Sequence, residues 1–600
     1  MDLTALAAAD VISCDCEASG LFVDDGARLS CVALAWDGGT LGIPVDQGVL
    51  DKLGGDQAQL WAEDNPNCTV TEWQELLRLL DTKRLVFHHA KYDLHILAIG
   101  TRHWGGEDLS ERLHWDTMLA AKLLEPLQPA SLDAAGQRAG LGGKAGLDEV
   151  QAWLRKRKLP KHRYDLVDWA VIQPYVTRDA ELTLALYHAQ EALKWVDSES
   201  VTGGVPAEYA RELDLCRTLF QMERRGVGFD SQRSLAVAEA LEHQADAIES
   251  AMPFKCDITA AKTYFFGEAG LSPDRVSDKT GASSLDDEQI RLWASQGVPW
   301  AGEYRSVKRR RKAVSMWYRG YPDKVGADGR LRTSYRQHTV VSGRLSVERV
   351  NLQAMPKADK LEGGEVGVRD LLTAKPGFGL WGLDMQQAEL RAAARYANCG
   401  SMQAMLADGR DIHALHAVDI LGADPAAADF KLRRDIGKKL TFSSLFHISG
   451  PGFQRQLARE ADIIISETEA WQLVDGWRRR YPEFSWAYKR AERRVLADGY
   501  ARILPGTEYE TKSWFRPYDH PWAAWNRMVQ GSLAAWLRLW LVEIERTVES
   551  ALVLTVHDSV LLELPENEGD QIAAEIAAAA EERASELFDT PMPVETERYS

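Results

Sequence analysis

Residues 10–45 alternate apolar and polar side chains in two runs, DVISCDCEASGL and LSCVALAWDGGTLGIPV, broken by Gly and Asp. A period of two marks strands, so the chain is expected to open with three of them. From residue 73 helical patterns alternate with short apolar runs such as RLVFHHA, which predicts α/β structure to about residue 195. The stretch SESVTGGVPAEY at 198–209 reads as a linker. Residues 208–320 read as mostly helical, and residues 379–397 as a strand running into a helix. Residues 405–545 are strongly helical and rich in Trp. The end returns to strand, turn and strand (LTVHDSVLL at 554–562), then a helix over 569–587 and a last short strand. No internal repeat or low-complexity tract interrupts this order. A small sheet with helical insertions is expected, not a repeated βαβ array.

Six hundred residues exceed one hydrophobic core, so roughly three to five domains are expected. No apolar run reaches the ~18 residues that span a bilayer. VISC resembles a lipoprotein cleavage box ending at Cys14, but Asp2 and Asp10 precede it and nothing basic does, so a signal peptide is rejected. Seven scattered cysteines without a CxxC pair fit reduced thiols in a cytoplasm. The net charge of −18 argues against a protein that coats nucleic acid over its whole surface, but not against a local basic track. Two basic runs stand out, RKRKLPKHR at 155–163 and RSVKRRRKAVSMWYRG at 305–320. Each could be a solvated helix face. The second could also meet backbone phosphates, with Trp317 and Tyr318 packed against sugars or bases.

Asp15 and Glu17 lie two apart on a predicted strand and so share a face. Paired carboxylates repel unless they are solvated or a divalent cation lies between them. Asp93, Asp116 and Asp179 recur on apolar backgrounds, Asp116 in an Asp-Thr pattern that suits a helix cap. Tyr175 and Asp179 are one helical turn apart. Convergence of Asp15, Glu17, Asp93 and Asp179 beside a tyrosine hydroxyl would suit two-metal phosphodiester hydrolysis, with Tyr175 orienting the water.

A second set is more scattered. Asp384 ends an apolar strand, where a helix cap is the plain alternative, and Asp558 sits within another. Facing each other across a sheet they would form a second two-metal site. Arg434, Lys438, Phe442 and Phe446 recur every four residues, and on a helix that spacing drifts only about 40° per step. Cations lie toward one end of the stripe and rings toward the other, the polarity of a nucleoside triphosphate. An ordinary amphipathic helix would show the same pattern.

Motifs now narrow these readings. Asp15-Cys-Glu17, His89-Ala-Lys-Tyr-Asp93 and Tyr175-Val-Thr-Arg-Asp179 resemble the three motifs of the proofreading 3′–5′ exonucleases with a DEDD metal set and a tyrosine, over about the first 190 residues. Leu21 stands where that family sets an apolar residue against the terminal base, and His89 stands where it usually has Asn. LDMQQAELR, the RxxxKxxxF pattern at 434–442 and VHDS resemble the three core motifs of the family A DNA polymerases. TVVSGRLSVERVNLQAMP (339–356), NRMVQGSLAAW (526–536), MERRGVGFD (222–230) and KTGASSLD (279–286) resemble further segments of that family.

The resemblance implies an α/β ribonuclease H-like exonuclease domain (1–197), followed by an α+β right-hand polymerase. Its parts are a linker and thumb (198–335), a first palm segment (336–404), helical fingers (405–525) and a second palm segment (526–600) around an antiparallel sheet. It implies a DNA-directed DNA polymerase, a nucleotidyltransferase that extends a primer 3′ end by two-metal phosphoryl transfer and proofreads as a 3′–5′ exodeoxyribonuclease. The alternative is a 3′–5′ exonuclease whose polymerase half only binds DNA. Primer–template DNA and deoxynucleoside triphosphates are the implied partners, with no membrane; a replisome or processivity partner is not identifiable from the sequence. The implied cofactor is magnesium, two ions per active site, with manganese as a substitute.

The resemblance also assigns roles. Asp384 and Asp558, helped by the Met385 carbonyl, hold metal at one site, and Asp15, Glu17, Asp93 and Asp179 at the other. Arg434 and Lys438 grip phosphates, and Lys438 can protonate pyrophosphate. Phe442 lies against sugar and base, Phe446 is near the templating base, Gln387 is near the nucleotide, and Glu389 excludes a ribose 2′-hydroxyl. His557 and Arg391 steady the primer end. Arg344, Asn351, Gln353, Asn526 and Gln530 read minor-groove acceptors, which check pair geometry and not sequence. Departures from the family pattern are Phe446 for Tyr, Ser559 for Glu, Trp522 for Arg, and an ERYS terminus without the usual His. The compact length, with no segment ahead of the exonuclease motifs, suggests a bacteriophage replicative enzyme working in a bacterial cytoplasm.

Overall fold

The computed structural model describes residues 3–45, 69–99, 106–193, 204–273, 285–356, 366–461, 463–556 and 558–599. His557 and most of the KTGASSLD segment lie outside the described residues. The three expected opening strands are β1 (Val11–Ala18), β2 (Leu29–Trp36) and β3 (Gly39–Pro44). With β4 (Arg84–Phe87) and β5 (Leu113–Asp116) they form one sheet in the order β3-β2-β1-β4-β5. β1 pairs antiparallel with β2 and parallel with β4, which makes it the central strand.

Alternation along β1 separates its two faces. Cys14 and Cys16 are buried in a core shared with Trp73, Leu76 and Leu80 of α1 (Val70–Leu80). Asp15 and Glu17 point the other way. Their cross-strand neighbours are Ala33 and Cys31, small residues that leave room above them. α2 (Ala90–Ile99) follows β4, and α3 (Thr117–Leu124) follows β5. The 24-residue α4 (Trp169–Ala192) lies on the carboxylate face of the sheet.

α5 (Gly204–Arg225) starts inside the stretch expected to be a linker. Tyr209, Leu213, Cys216 and Phe220 on one face belong to the core around the first sheet. Leu215, Leu219 and Met222, on another face, belong to the large core of the remaining chain. Helical period thus lets one helix serve two cores. α6 (Ser231–Ala251) and α7 (Ala301–Ala313) continue the helical region.

The second sheet holds β6 (Phe378–Met385), β9 (Leu552–Val556), β10 (Ser559–Pro565) and β11 (Val594–Arg598), all antiparallel, in the order β9-β10-β6-β11. α12 (Gly569–Phe588) packs against it closely enough to require glycine. A Cβ on Gly569 would sit 2.1 Å from the Trp381 ring, whose Nε1 donates to Asp570 at 2.8 Å. Around this sheet stand α8 (Ala388–Ala397), α9 (Ile412–Asp419), α10 (Phe430–Leu445) and the 24-residue α11 (Ala524–Thr547). One element departs from the helical expectation for 405–545. Tyr500–Ile503 (β7) pairs with Thr511–Trp514 (β8) as a hairpin, entered through Gly499 at φ 78°. Only glycine adopts that φ without strain, so it ends the preceding helix.

The basic run at 305–320 is partly paired with acids and partly exposed, Lys308, Arg309 and Lys312 lying at the surface. Arg311 is paired with Asp246 and Glu249, Arg319 with Glu242, and Arg305 with Asp287. Tyr318 is buried with its hydroxyl donating to the Val366 carbonyl at 2.7 Å, and Trp317 packs against the core. The Tyr318 ring is thus enclosed, and Trp317 is half-buried. The run at 155–163 likewise has Arg163 bound to Asp165 and Arg157 stacked on Trp153.

Candidate active sites

The first site forms where β1 meets α4. Asp15 and Glu17 come from the strand, and Tyr175 and Asp179 from successive turns of the helix. Among the described residues, the carboxylates of Asp15, Glu17 and Asp179 offer oxygens that all lie within 4.8 Å of one another. Asp93, in the first turn of α2, stands one step back, its Oδ1 accepting the Cys16 N–H at 2.8 Å. Three of the four expected carboxylates therefore gather tightly, and the fourth is tied to the strand between them.

Crowding and burial raise every one of these acids. Burial, then the Asp179 charge, pushes Asp15 up to about 7, with Lys144 acting the other way. Glu17 and Asp93 stand well above the usual carboxylate range, through burial and then the Asp15 charge. Asp179 is raised by burial against the pull of Lys144. The Asp179 carboxylate is buried and is ion-paired with Lys144 at 2.5 Å. A tight, oxygen-only, anion-rich set is what a hard divalent cation relieves, so these residues fit magnesium or manganese.

Leu21 is 67% exposed and borders the same cavity of about 410 Å³ as Asp15, Glu17 and His89. Arg336 and Arg349 border it from the rest of the chain. His89 takes φ 77° and donates its backbone N–H to Asp116 Oδ1 at 3.3 Å. Asp116 is the cap its pattern suggested, also accepting from Met118 and Leu119 at the start of α3. Lys144 is the residue the sequence reading missed. Its one local signal is the glycine-rich context GLGGKAG.

The second site is set by strand register. Asp384 pairs with Ser559 on one side and Glu595 on the other. Asp558 immediately precedes Ser559 in the β9–β10 turn, so the two strand-borne acids are brought together by pairing alone. Directly opposite residues of antiparallel strands share a face, so Glu595 stands beside Asp384. The Glu595 carboxylate accepts from Gln386 Nε2. Met385, the last residue of β6, has its side chain buried. Asp384 and Asp558 offer oxygen ligands where β6 ends and β10 begins, which also fits a hard divalent cation.

Arg344 Nη2 lies 2.8 Å from Glu389 Oε1 and 3.8 Å from Asp558 Oδ1, and Gln530 Nε2 donates to the same Glu389 oxygen at 3.2 Å. Burial raises Glu389, the Arg344 charge opposes this, and the Asp558 charge adds to it. Three expected contact residues thus form one cluster beside the carboxylates. Asn526 is one turn before Gln530 on α11, and its Oδ1 is buried without a hydrogen-bond partner among the described residues. Asn351 uses its side chain to accept the Ala354 N–H at 3.1 Å, in the turn that holds Gln353.

α10 carries the stripe Arg434, Lys438 and Phe442, with Phe446 just past its end. Arg434 Nε donates to Asp411 Oδ2 at 2.7 Å, Lys438 is exposed, and the Phe442 ring centroid lies 5.6 Å from that of His413. Burial lowers His413 to about 4, so it is neutral at physiological pH. His413 is a second residue the sequence reading missed, because α9 reaches the stripe only through tertiary packing. Gln387 is exposed in the left-handed region at φ 53°, ahead of α8.

One expected contact residue is drawn into the fold. Arg391 is buried, and its guanidinium donates to the carbonyls of Gln386, Pro591 and Leu406 at 3.1, 3.1 and 3.2 Å. Three of its five N–H donors are thus committed to the backbone, which makes it a brace of the fold beside the site. Trp522 is 54% exposed and stacked on His520.

The model of DNA polymerase family A matches residues 232–598. The chain is 27% identical to a DNA polymerase I of Chloroflexus aurantiacus over 523 residues, covering 81% of this chain and 51% of that protein. It is 28% identical to a thermostable DNA polymerase I of Thermus filiformis over 406 residues, 64% of this chain and 46% of the other. It thus spans about half the length of the curated relatives it matches. The POL domain of Pol1 from M. smegmatis, solved in complex with DNA primer-template and dNTP, superposes with a TM-score of 0.72 at 20% identity, covering 99% of this chain and 96% of that one.

Proposed function

Because the chain belongs to DNA polymerase family A, we propose that it is a template-directed DNA polymerase that also removes nucleotides from a primer 3′ end at a separate site. The observation that carries the polymerase reading is the register that sets Asp384 against Ser559 and so beside Asp558, next to the Arg344–Glu389–Gln530 cluster. The exonuclease reading rests on the oxygens of Asp15, Glu17 and Asp179 gathered within 4.8 Å beside Tyr175, on a sheet of order β3-β2-β1-β4-β5 with three antiparallel and two parallel-added strands, as expected of a ribonuclease H-like domain.

When bound at each carboxylate set, divalent cations supply activation of the attacking oxygen and charge compensation at the leaving one. The chain's own residues do the rest by position. At the polymerase site Arg434 and Lys438 offer donors to the triphosphate, with neutral His413 beside them, and Phe442 offers an apolar surface to sugar and base. Glu389, held by Arg344 and Gln530, narrows the space at C2′ and so favours deoxynucleotides. Arg344 and Gln530 also remain within reach of minor-groove acceptors, which are common to all correct pairs. At the exonuclease site the Tyr175 hydroxyl orients the attacking water, and exposed Leu21 meets the terminal base. Magnesium is the proposed ion, with manganese as a substitute. The relatives named above are bacterial, and no residue of either site bears on the expected bacteriophage origin. Among the described residues no helix is long and apolar enough to cross a membrane.

The test is a labelled primer–template incubated with magnesium, with and without deoxynucleotides. The intact protein extends the primer with nucleotides and shortens it without them. Asp558→Ala loses extension alone, and Asp15→Ala loses shortening alone. Shortening without any extension by the intact protein would leave an exonuclease whose polymerase half only binds DNA.

A further inference from the structure

The exonuclease site contains a cation that its carboxylate pattern does not call for. Lys144 Nζ lies 2.5 Å from Asp179 Oδ2 and donates to the Tyr175 hydroxyl oxygen at 3.1 Å. It also stands 5.0 Å above the Tyr175 ring centroid. One ammonium thus touches the helix-borne carboxylate and the tyrosine that flank the site.

This is a built position and not a loose surface side chain. The Lys144 backbone N–H donates to Asp133 Oδ1 at 3.0 Å. Arg178, next to Asp179 on the same helix, donates to the carbonyls of Leu141 and Gly143. Gly142 and Gly146 turn the loop at φ 78° and 84°, and a Cβ on Gly146 would meet the Tyr175 backbone at 3.2 Å. The glycines bring the loop against α4 and aim Lys144 across it.

A lysine in this place and a divalent cation both draw on the oxygens of Asp179. Two cations sharing one carboxylate repel, strongly in a half-buried site. We propose that Lys144 is a positioning residue that competes with the divalent cation for Asp179, holding Asp179 and Tyr175 in place in the ion-free site and setting the metal affinity there. The inference rests on the exonuclease reading. Loading an ion displaces the ammonium from Asp179, so Lys144 makes this site the more demanding of metal.

The probe is Mn2+, followed by electron paramagnetic resonance on the full chain carrying Asp384→Asn and Asp558→Asn, which silence the polymerase set. In that background Asp15→Asn identifies the ions bound at the exonuclease site. Lys144→Gln is expected to tighten this binding about tenfold, while Lys144→Arg, which keeps the charge, stays within about twofold of the parent. Unchanged or weaker Mn2+ binding in Lys144→Gln overturns the proposal. So does equal tightening by Lys144→Arg, since loop disturbance and not charge would then be the cause. If the parent binds no Mn2+ that Asp15→Asn removes, the exonuclease reading itself fails and Lys144 loses its role with it.

Discussion

Glu223 accepts the backbone N–H of Tyr335 at 2.6 Å, in the interior between the two sites. The same buried carboxylate pairs with Lys91 and bonds His95 Nε2 at 2.7 Å. Lys91 is two residues from Asp93. The Tyr335 hydroxyl, in turn, donates to the Thr555 carbonyl and accepts the Thr555 N–H, both at 3.1 Å, three residues before Asp558. One carboxylate on α5 therefore ties the strand-and-helix frames of both sites together.

Burial pushes Glu223 up, but Lys91 and His95 outweigh it and hold it below the ordinary glutamate range. A depressed folded pKa means stability that is present above the unfolded pKa and lost as pH falls through the folded one. Glu223→Gln leaves Lys91 buried beside a neutral partner, which costs about 3–5 kcal/mol by analogy with other broken buried pairs. The expected result is a melting temperature lowered near neutral pH, with the difference from the parent shrinking below about pH 4. A constant difference across that range would show that packing, and not charge, is what the substitution removes.

Asp15 shifts in the other direction. Its folded pKa of about 7 lies above the unfolded value, so its contribution is fully present below about pH 4 and is lost as pH rises through 7. In metal-free protein Asp15→Asn should therefore raise stability near pH 8 by on the order of 2 kcal/mol, allowing for solvent in the cavity, and change it little near pH 4.5. Saturating magnesium should reverse the order at pH 8, because only the parent keeps the full ligand set. Calorimetry with and without chelator reads both effects. A variant less stable than the parent in chelator would contradict the crowding of Asp15.

What the sequence made legible was local. The alternation in VISCDCEA placed Asp15 and Glu17 on one face because strand period is a property of neighbours in the chain, and the RxxxKxxxF spacing put Arg434, Lys438 and Phe442 on one side of α10 for the same reason. Lys144 and His413 were not legible. Lys144 lies 35 residues from Asp179, and only the packing of a glycine-turned loop on α4 brings them together. The β7–β8 hairpin was hidden because Tyr500–Ile503 is too short to show a period amid helices. Arg391 misled because a cation near an active-site motif reads as exposed, whereas three backbone carbonyls claim it.

That reassignment of Arg391 is itself testable. Arg391→Ala removes three hydrogen bonds to backbone carbonyls, of which that of Leu406 keeps the Gly409 N–H, so a loss of roughly 2 kcal/mol in unfolding free energy is expected. The KM for primer–template should stay within about twofold in the folded fraction, because an unmade DNA contact cannot be lost. Urea melts and steady-state extension measure the two quantities. A large rise in KM with stability intact would restore the primer-end role.

Glu389 joins stability to the proposed sugar selectivity. Its carboxylate is fixed from two sides, by Arg344 at 2.8 Å and Gln530 at 3.2 Å, so its position is not left to a free rotamer. Glu389→Ala opens the space its carboxylate fills and also releases Arg344 toward Asp558, already 3.8 Å away. Two consequences separate. Ribonucleotide use, measured as the ratio of kcat/KM for a ribo- and a deoxynucleotide, should rise by about 100-fold, the scale of one removed close contact. Deoxynucleotide extension should fall as well, because Arg344 then pairs with a metal-binding carboxylate. The double variant Glu389→Ala/Arg344→Ala tells the two apart. It should keep the relaxed sugar ratio while shedding the part of the rate loss that comes from Arg344 on Asp558. A ratio unchanged by Glu389→Ala would mean that another side chain excludes the 2′-hydroxyl.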